Sequence, residues 1–471
     1  MKVKRLGLIL FLIISLCYNV QSQNVFVSGS GKNIKGKKIS LYSVADRFSG
    51  YVQKVDSIEL KENDTTFSSS FIIDGVKELI VQIDLMKYAF VAEPGMKYYL
   101  SIGEFNFSQQ DSAKAFMYGM HLPVSLQSEK YDRINSPLLE VDNLLGEYTY
   151  QNRRMLFIKD SLAVEGLLSL KDSLLIKYKD NEYISNYITY EFESILYTFY
   201  LKSRKTTKQN LFASSPILYD NIGYVDCFQT IFERYFSLGY KYISRKDMET
   251  WLINGNYSAF NDALGRDEIL KNEVFRELVF LQGMKDAYLD GYFDKKLILN
   301  MLDKFKGSTK FEKHILIANN MINYLSRINA TNTNIGNYKV RNIDQEIIEL
   351  KSLFNEKPTL VAFVRLDDIA CLKELESIHF CYDSVKENIN IISICMDNNF
   401  EKMYNFIRNN KVGNKYKWHF VYFDNNYDMT SAFHLRMIPS FVLLDKEGKI
   451  IETPFESPQT GSLMKYKNKT Q

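Results

Sequence analysis

Hydrophobic and polar positions change their spacing as the chain proceeds. From Asn24 to about Gly103 they alternate: Ile39 and Leu41 with Ser40 and Tyr42, then Phe67, Phe71 and Ile73 with Ser68 and Ser70, then Leu79, Val81, Ile83 and Leu85 with Ile80, Gln82 and Asp84. Short alternating runs of this kind predict a small antiparallel β-sandwich. Glu93-Pro94-Gly95-Met96 supplies a turn, with proline fixing one φ and glycine supplying a positive one. From Asn106 to about Asn332 the alternation disappears and no proline occurs between Pro216 and Pro358. Leu270, Val274, Leu278 and Leu281 recur at helical spacing, as do Ile315, Ala318, Ile322 and Leu325. These stripes predict helices with buried faces. Asp290-Gly291 and Gly307-Ser308 punctuate helix–helix turns, and Ala330-Thr331-Asn332-Thr333-Asn334 reads as a linker.

The remaining part of the chain follows a different pattern. The runs 360–364, 389–395, 420–423 and 441–444 are apolar on both faces, as strands covered by helices on both sides should be. Helical segments start near Ile369, Phe400 and Tyr427. Strands alternating with short helices predict a parallel or mixed α/β sheet. Asp445-Lys446-Glu447-Gly448 followed by Lys449-Ile450-Ile451 reads as a terminal hairpin. Beyond it, Ser462 to Lys467 has room for a last helical turn or two. The expected fold class is therefore multidomain α+β and α/β. A signal segment (1–22) precedes an N-terminal antiparallel β-sandwich (23–104), a central all-helical domain (105–332) and an α/β domain (336–468).

Composition narrows the partners. The formal net charge is +3, and losing Lys2, Lys4 and Arg5 with a cleaved leader leaves a neutral chain. That balance argues against a nucleic-acid or anionic-membrane surface. The three cations precede an apolar run from Leu6 to Leu16, far short of the about 20 residues needed to span a bilayer. This is the pattern of an export signal, with cleavage after Ser22. Cys17 offers lipid anchoring as a second option, although Leu16 stands where a lipobox wants a small residue. The expected location is secreted, most simply periplasmic.

After signal removal Cys227, Cys371, Cys381 and Cys395 remain. Cys371 and Cys381 fall on one predicted helix about 15 Å apart, beyond disulfide reach. No spacing suggests a metal site, and His419 and His434 read as structural. No cofactor is expected.

Two stretches carry a family resemblance. Phe363-Val364-Arg365-Leu366-Asp367-Asp368-Ile369-Ala370-Cys371-Leu372-Lys373-Glu374 resembles the strand-to-helix junction of TlpA/ResA-type envelope thioredoxins, which carry Phe-Trp-Ala-x-Trp-Cys-x-x-Cys-x-x-Glu there. Met437-Ile438-Pro439-Ser440, before Phe441-Val442-Leu443-Leu444-Asp445, resembles that family's cis-proline loop. Tyr338-Lys339-Val340 with Glu346 to Leu350 resembles its opening hairpin. The amino-terminal segment resembles the β-domain of unknown function that precedes such modules in Bacteroidetes. The resemblance implies a thioredoxin-like fold over residues 336–468, with Ile438 and Pro439 at a mouth where the family pairs with extended peptide.

The chemistry departs from that pattern. A dithiol oxidoreductase needs a thiolate stabilised at a helix start and a second thiol to resolve the mixed disulfide. Here Asp368 occupies the attacking position, Asp367 stands where the family has Trp, and only Cys371 remains. Asp368 can cap the helix by accepting the Cys371 amide, and its charge disfavours a Cys371 thiolate. Cys371 itself reads as a half-buried apolar residue beside Leu372 and Leu375. The expectation is a redox-degenerate thioredoxin-fold protein that binds a peptide or envelope protein. The alternatives are a thiol–disulfide oxidoreductase acting through Cys371 and a purely structural platform.

Overall fold

The computed structural model describes residues 23–84, 86–104, 120–130, 132–201, 208–213, 215–237, 243–328, 335–397, 399–408, 415–424, 429–430, 433, 435 and 438–470. The leader at 1–22 with Cys17, the linker at Ala330 to Asn334, the helix expected near Tyr427, and His434 and Met437 lie outside the described residues. Two compact units result. The first gathers most of residues 23–104 with the helices up to Met321; the second runs from Ile322 onward and includes the stretches 83–87 and 120–122.

In the amino-terminal part the alternating pattern forms strands β1 (Gln23–Ser30), β2 (Lys38–Asp46), β3 (Tyr51–Glu59), β4 (Thr66–Ile73), β5 (Lys77–Ile83), β6 (Met86–Ala92), β7 (Lys97–Ile102), β8 (Met120–His121) and β9 (Val124–Ser128). They make a sheet ordered β4-β1-β7-β9 and another ordered β3-β2-β5-β6-β8. The expected amino-terminal sheets form with antiparallel pairs such as β1 with β4 and β7 with β9, and they also contain parallel pairs, β1 with β7 and β6 with β8. The strands also continue past Gly103. Val124 to Ser128 pairs along β7, so residues expected to open the helical domain complete a sheet instead.

Helices follow: α1 (Asn135–Phe157), α2 (Ser161–Lys177), α3 (Glu182–Thr198), α4 (Ile222–Ile231), α5 (Arg245–Asn254), α6 (Tyr257–Leu264), α7 (Glu273–Leu289), α8 (Lys295–Ser308) and α9 (Glu312–Ile328). Their starts are chemically specified. Asp160, Asn181, Asn221, Asn272 and Asp294 each accept a backbone amide of the first turn, satisfying donors that the helix cannot bond internally. The buried stripe of α9 falls on Ile317, Ala318, Met321 and Leu325, so Ile315 and Ile322 flank the core rather than fill it. Gly307 and Ser308 belong to the last turn of α8 instead of a connecting turn. The aromatic residues of α3 serve packing: Tyr187, Tyr190, Phe192 and Tyr197 are buried.

The turn between β2 and β3 is held from several helices at once. Arg47 Nη2 bonds both Asp226 oxygens at 3.0 Å, and its other amino group meets Glu78. Lys285 Nζ donates to the Phe48 carbonyl at 2.7 Å, Gln229 Nε2 to the Arg47 carbonyl at 2.9 Å, and Asn320 Nδ2 to Asp46 Oδ2 at 2.8 Å. Buried ionised groups survive only when paired and hydrogen-bonded.

The second unit contains β10 (Lys339–Arg341), β11 (Ile347–Glu349), β12 (Thr359–Val364), β13 (Asn390–Cys395), β14 (His419–Tyr422), β15 (Ser440–Leu444) and β16 (Ile450–Glu452). Helices α10 (Ile369–Val385), α11 (Phe400–Arg408) and α12 (Ser462–Thr470) accompany them. The sheet order is β11-β10-β14-β13-β12-β15-β16. β12, β13 and β14 run parallel, whereas β15 returns antiparallel to β12 and pairs with β16 as a hairpin. Every residue of β12 is buried, as the two-sided apolar run predicts. The hairpin turns at Gly448, φ 82°, with Asp445 accepting the amides of Glu447 and Lys449 at 3.0 and 2.7 Å. The last helix is longer than the sequence suggested, running Ser462–Thr470 behind a 3-10 turn at Pro458–Thr460. Among the described residues no helix is long and apolar enough to cross a membrane.

Replacing Lys285 with Met should destabilise the first unit by about 2–3 kcal/mol, because the Phe48 carbonyl and nearby carboxylates lose their buried cation. Urea unfolding followed by tryptophan fluorescence and circular dichroism checks this.

Candidate functional site

The site is built where β12 ends. Parallel strands place their carboxyl ends on one side of the sheet, and the chain leaving Val364 must turn before entering α10. Arg365, Leu366 and Asp367 make that turn, and Asp368 ends it as the helix cap. The Asp368 carboxylate accepts the amides of Ala370 at 2.7 Å and Cys371 at 3.2 Å. Two donors at the positive helix end are thereby used by a fixed negative charge.

Cys371 lies directly behind this cap and is completely buried, more so than the half-buried position expected from sequence. Burial pushes its thiol up to about 12, an Arg365 backbone contact opposes the rise, and Asp368 and Asp397 add to it. Cys395, at the end of β13, is also fully buried, and burial holds its thiol well above the ordinary range. Cys381 is half-buried further along α10, its Sγ directed at the carbonyls of Ser377 and Ile378. Cys227 is buried in the first unit. None of these thiols is disulfide-bonded.

Asp367 has a role the sequence did not reveal. Its carboxylate takes Arg365 Nε and Nη2, each at 3.0 Å, and Lys402 Nζ at 2.7 Å. Partial burial opposes ionisation, but these bonds outweigh it and hold the acid below its ordinary value. The Arg365 side chain is buried, so an ion pair over the turn ties it to α11. Beneath it, Asp397 follows β13 and is buried. Both its oxygens accept the Leu366 amide, at 3.2 and 3.1 Å. Burial raises it to about 6 despite that bond, with the Asp367 charge adding to the effect. A charged residue directly after an all-apolar strand, as with Arg365, was the available sequence signal for this cluster.

Glu374 is buried one turn beyond Cys371. It accepts Ser457 Oγ at 2.6 Å and the Gln459 amide at 3.3 Å, so it fastens the 3-10 turn that leads into α12. On the opposite side, Ser440 pairs with Phe363. That register sets Ile438 and Pro439 beside the chain leaving β12. The Ile438–Pro439 peptide is cis; Ile438 is half-buried against the core, and Phe433 packs edge-on to Phe363 at 4.7 Å between centroids. Ile369, the first helical residue, is 72% exposed. His419 opens β14 and is exposed. Among the described residues no group of histidine, cysteine, aspartate and glutamate has the geometry of a metal site.

A family profile described as thioredoxin-like matches residues 355–450. This stretch is a thioredoxin-like domain. Solved structures align with parts of the chain. The thioredoxin domain of a thiol-disulfide oxidoreductase from Bacteroides vulgatus is 21% identical, over 30% of this chain and 97% of its own, with a TM-score of 0.26. A thiol:disulfide interchange protein from a Bacteroides species is 21% identical over 30% of this chain and 92% of its own, with a TM-score of 0.26. A thioredoxin-like protein from Bacteroides caccae is 14% identical over 57% of this chain and 95% of its own, with a TM-score of 0.32. No curated protein matches the sequence.

Two outcomes check this account of the thioredoxin-like domain. Asp368→Ala should cost about 1 kcal/mol of stability, whereas Asp368→Asn, which keeps the cap, should cost little. For Asp397 the folded value lies above the free one, so the folded state holds its proton more tightly. That contribution is present at low pH and is lost as pH rises from about 3.8 through about 6. Stability relative to Asp397→Asn should therefore fall across that window and level off above it, as read from urea midpoints at each pH.

Proposed function

We propose that the thioredoxin-like domain belongs to the TlpA/ResA-type envelope branch, has given up dithiol chemistry, and binds an extended peptide or an envelope protein. The observation that carries this reading is the helix start itself. Asp368 fills the attacking position as a bonded cap, and the remaining thiol at Cys371 is buried with its ionisation suppressed. A nucleophilic cysteine needs exposure and a thiolate-favouring field, and Cys371 has neither. The binding half of the site does not depend on sulfur. Ile369 offers exposed apolar surface at the helix start, and the Ile438-Pro439 loop precedes β15, whose Ser440 pairs with Phe363 near the end of β12. A backbone edge flanked by apolar side chains suits recognition of an extended segment.

Export belongs to the same proposal and rests on Lys2, Lys4 and Arg5 ahead of the Leu6–Leu16 run. Periplasmic release is favoured over lipid attachment at Cys17. The competing reading, a thiol–disulfide oxidoreductase working through Cys371, draws on the thioredoxin-like profile over residues 355–450.

The decisive measurement is dithiol-dependent reduction of a protein disulfide, run beside binding of a reduced, carboxymethylated unfolded protein. Wild type and Cys371→Ser should be equally inactive in the first assay. Ile438→Asp or Ile369→Asp should weaken the second by roughly tenfold. Turnover that disappears in Cys371→Ser would overturn the binding reading in favour of the enzyme.

A further inference from the structure

The sheet β4-β1-β7-β9 turns Val25, Val27, Tyr98 and Leu100 into the core, which leaves the alternate positions on its other face. Those positions align in rows. Ser68 stands opposite Ser28, Ser28 opposite Tyr99, and Tyr99 opposite Gln127. The adjoining row runs through Ser30, Ser101 and Ser125. On the other side Phe26 stands opposite Ser70 and Lys97. Phe26 is 43% exposed and Tyr99 45%, and Ile72, two residues from Ser70 on the same face, is 64% exposed, so partly exposed rings stand among serines with Ile72 at one edge.

This composition is unusual for the chain that carries it. Asp, Glu, Lys and Arg make up 24% of the sequence, and exposed sheet ordinarily uses such residues to stay soluble and unpaired. Here Lys97 is the one charged residue in the rows, and Glu129 neutralises it at 3.0 Å. Packing does not require serines either, since β-branched residues suit strands better. Hydroxyls and an amide surround two aromatic platforms where charges would be expected.

We propose that this face binds a neutral carbohydrate chain. A pyranose ring presents an apolar C–H face, which lies against an aromatic ring, and a rim of hydroxyls. Serine hydroxyls both donate and accept, as does the glutamine amide, so the rows can exchange hydrogen bonds with that rim in either sense. Their short side chains keep the platforms of Phe26 and Tyr99 raised. The charge balance selects among ligands: anionic glycans and nucleic acids need fixed cations, and this face has none to spare. The site lies outside the thioredoxin-like domain and involves no thiol, so its fate is independent of the peptide-binding proposal.

The test is native affinity electrophoresis of the full chain in gels containing amylopectin, galactomannan or mixed-linkage β-glucan, with polygalacturonate as the anionic control. At least one neutral polysaccharide should retard the wild type. Tyr99→Ala and Phe26→Ala should each weaken that retardation roughly tenfold, with circular dichroism showing both variants still folded. Three results overturn the proposal: no retardation in any neutral gel, retardation that both variants retain, or retardation by polygalacturonate alone. Self-association in sedimentation that Tyr99→Ala abolishes, without polysaccharide binding, overturns it too and makes the face a contact between copies.

Discussion

The cap formed by Asp368 governs the chemistry at the end of β12. A helix start is a concentration of unbonded N–H groups, and whatever occupies it sets the local field. Where a thiolate takes that place, the helix favours the ionised nucleophile. Here a carboxylate takes it, bonded to the amides of Ala370 and Cys371. The helix gains a stable end, and the sulfur behind it, already raised by burial, has a further negative charge opposing its ionisation. The rest of the turn follows the same logic. Asp367 is neutralised by Arg365 and Lys402, and Asp397 is tied to the Leu366 amide. Asp367, Asp368 and Asp397 all serve to hold the bend.

The fold of the second unit was readable because its signals are local. Runs buried on both faces mark β12 to β15, a glycine with positive φ marks the last hairpin, and an aspartate before Ile369 marks the cap. The cluster over the bend was not readable in the same way. Lys402 lies 35 residues from Asp367, and no periodicity announces that a charge on α11 will reach back across the sheet. Glu374 was visible as part of a motif, yet its partners Ser457 and Gln459 lie 83 and 85 residues away in a stretch with no periodicity to place it. The amino-terminal sheets show the complementary failure. Alternation identifies strands but carries no direction, so the parallel pairing of β1 with β7 could not be seen, nor could β9 be assigned to a sheet across an intervening segment.

Long-range polar bonds tie the sheets of the first unit to its helices. The turn from Asp46 to Ser49 is gripped by α4, α7 and α9 through Asp226, Gln229, Lys285 and Asn320. Apolar packing is tolerant of small shifts, but hydrogen bonds of fixed length are not. Such bonds fix the β2–β3 turn against α4, α7 and α9.

The depth of the sulfurs has a consequence for how the chain matures. In the native state Cys227, Cys371 and Cys395 are sealed from solvent and Cys381 is half-sealed, so an oxidant finds little to react with. While the polypeptide is still open, the same thiols are ordinary and can cross-link wrongly. Collapse around β12 and β13 must therefore outpace mispairing. Once it has, the folded chain keeps Cys227, Cys371 and Cys395 out of an oxidant's reach.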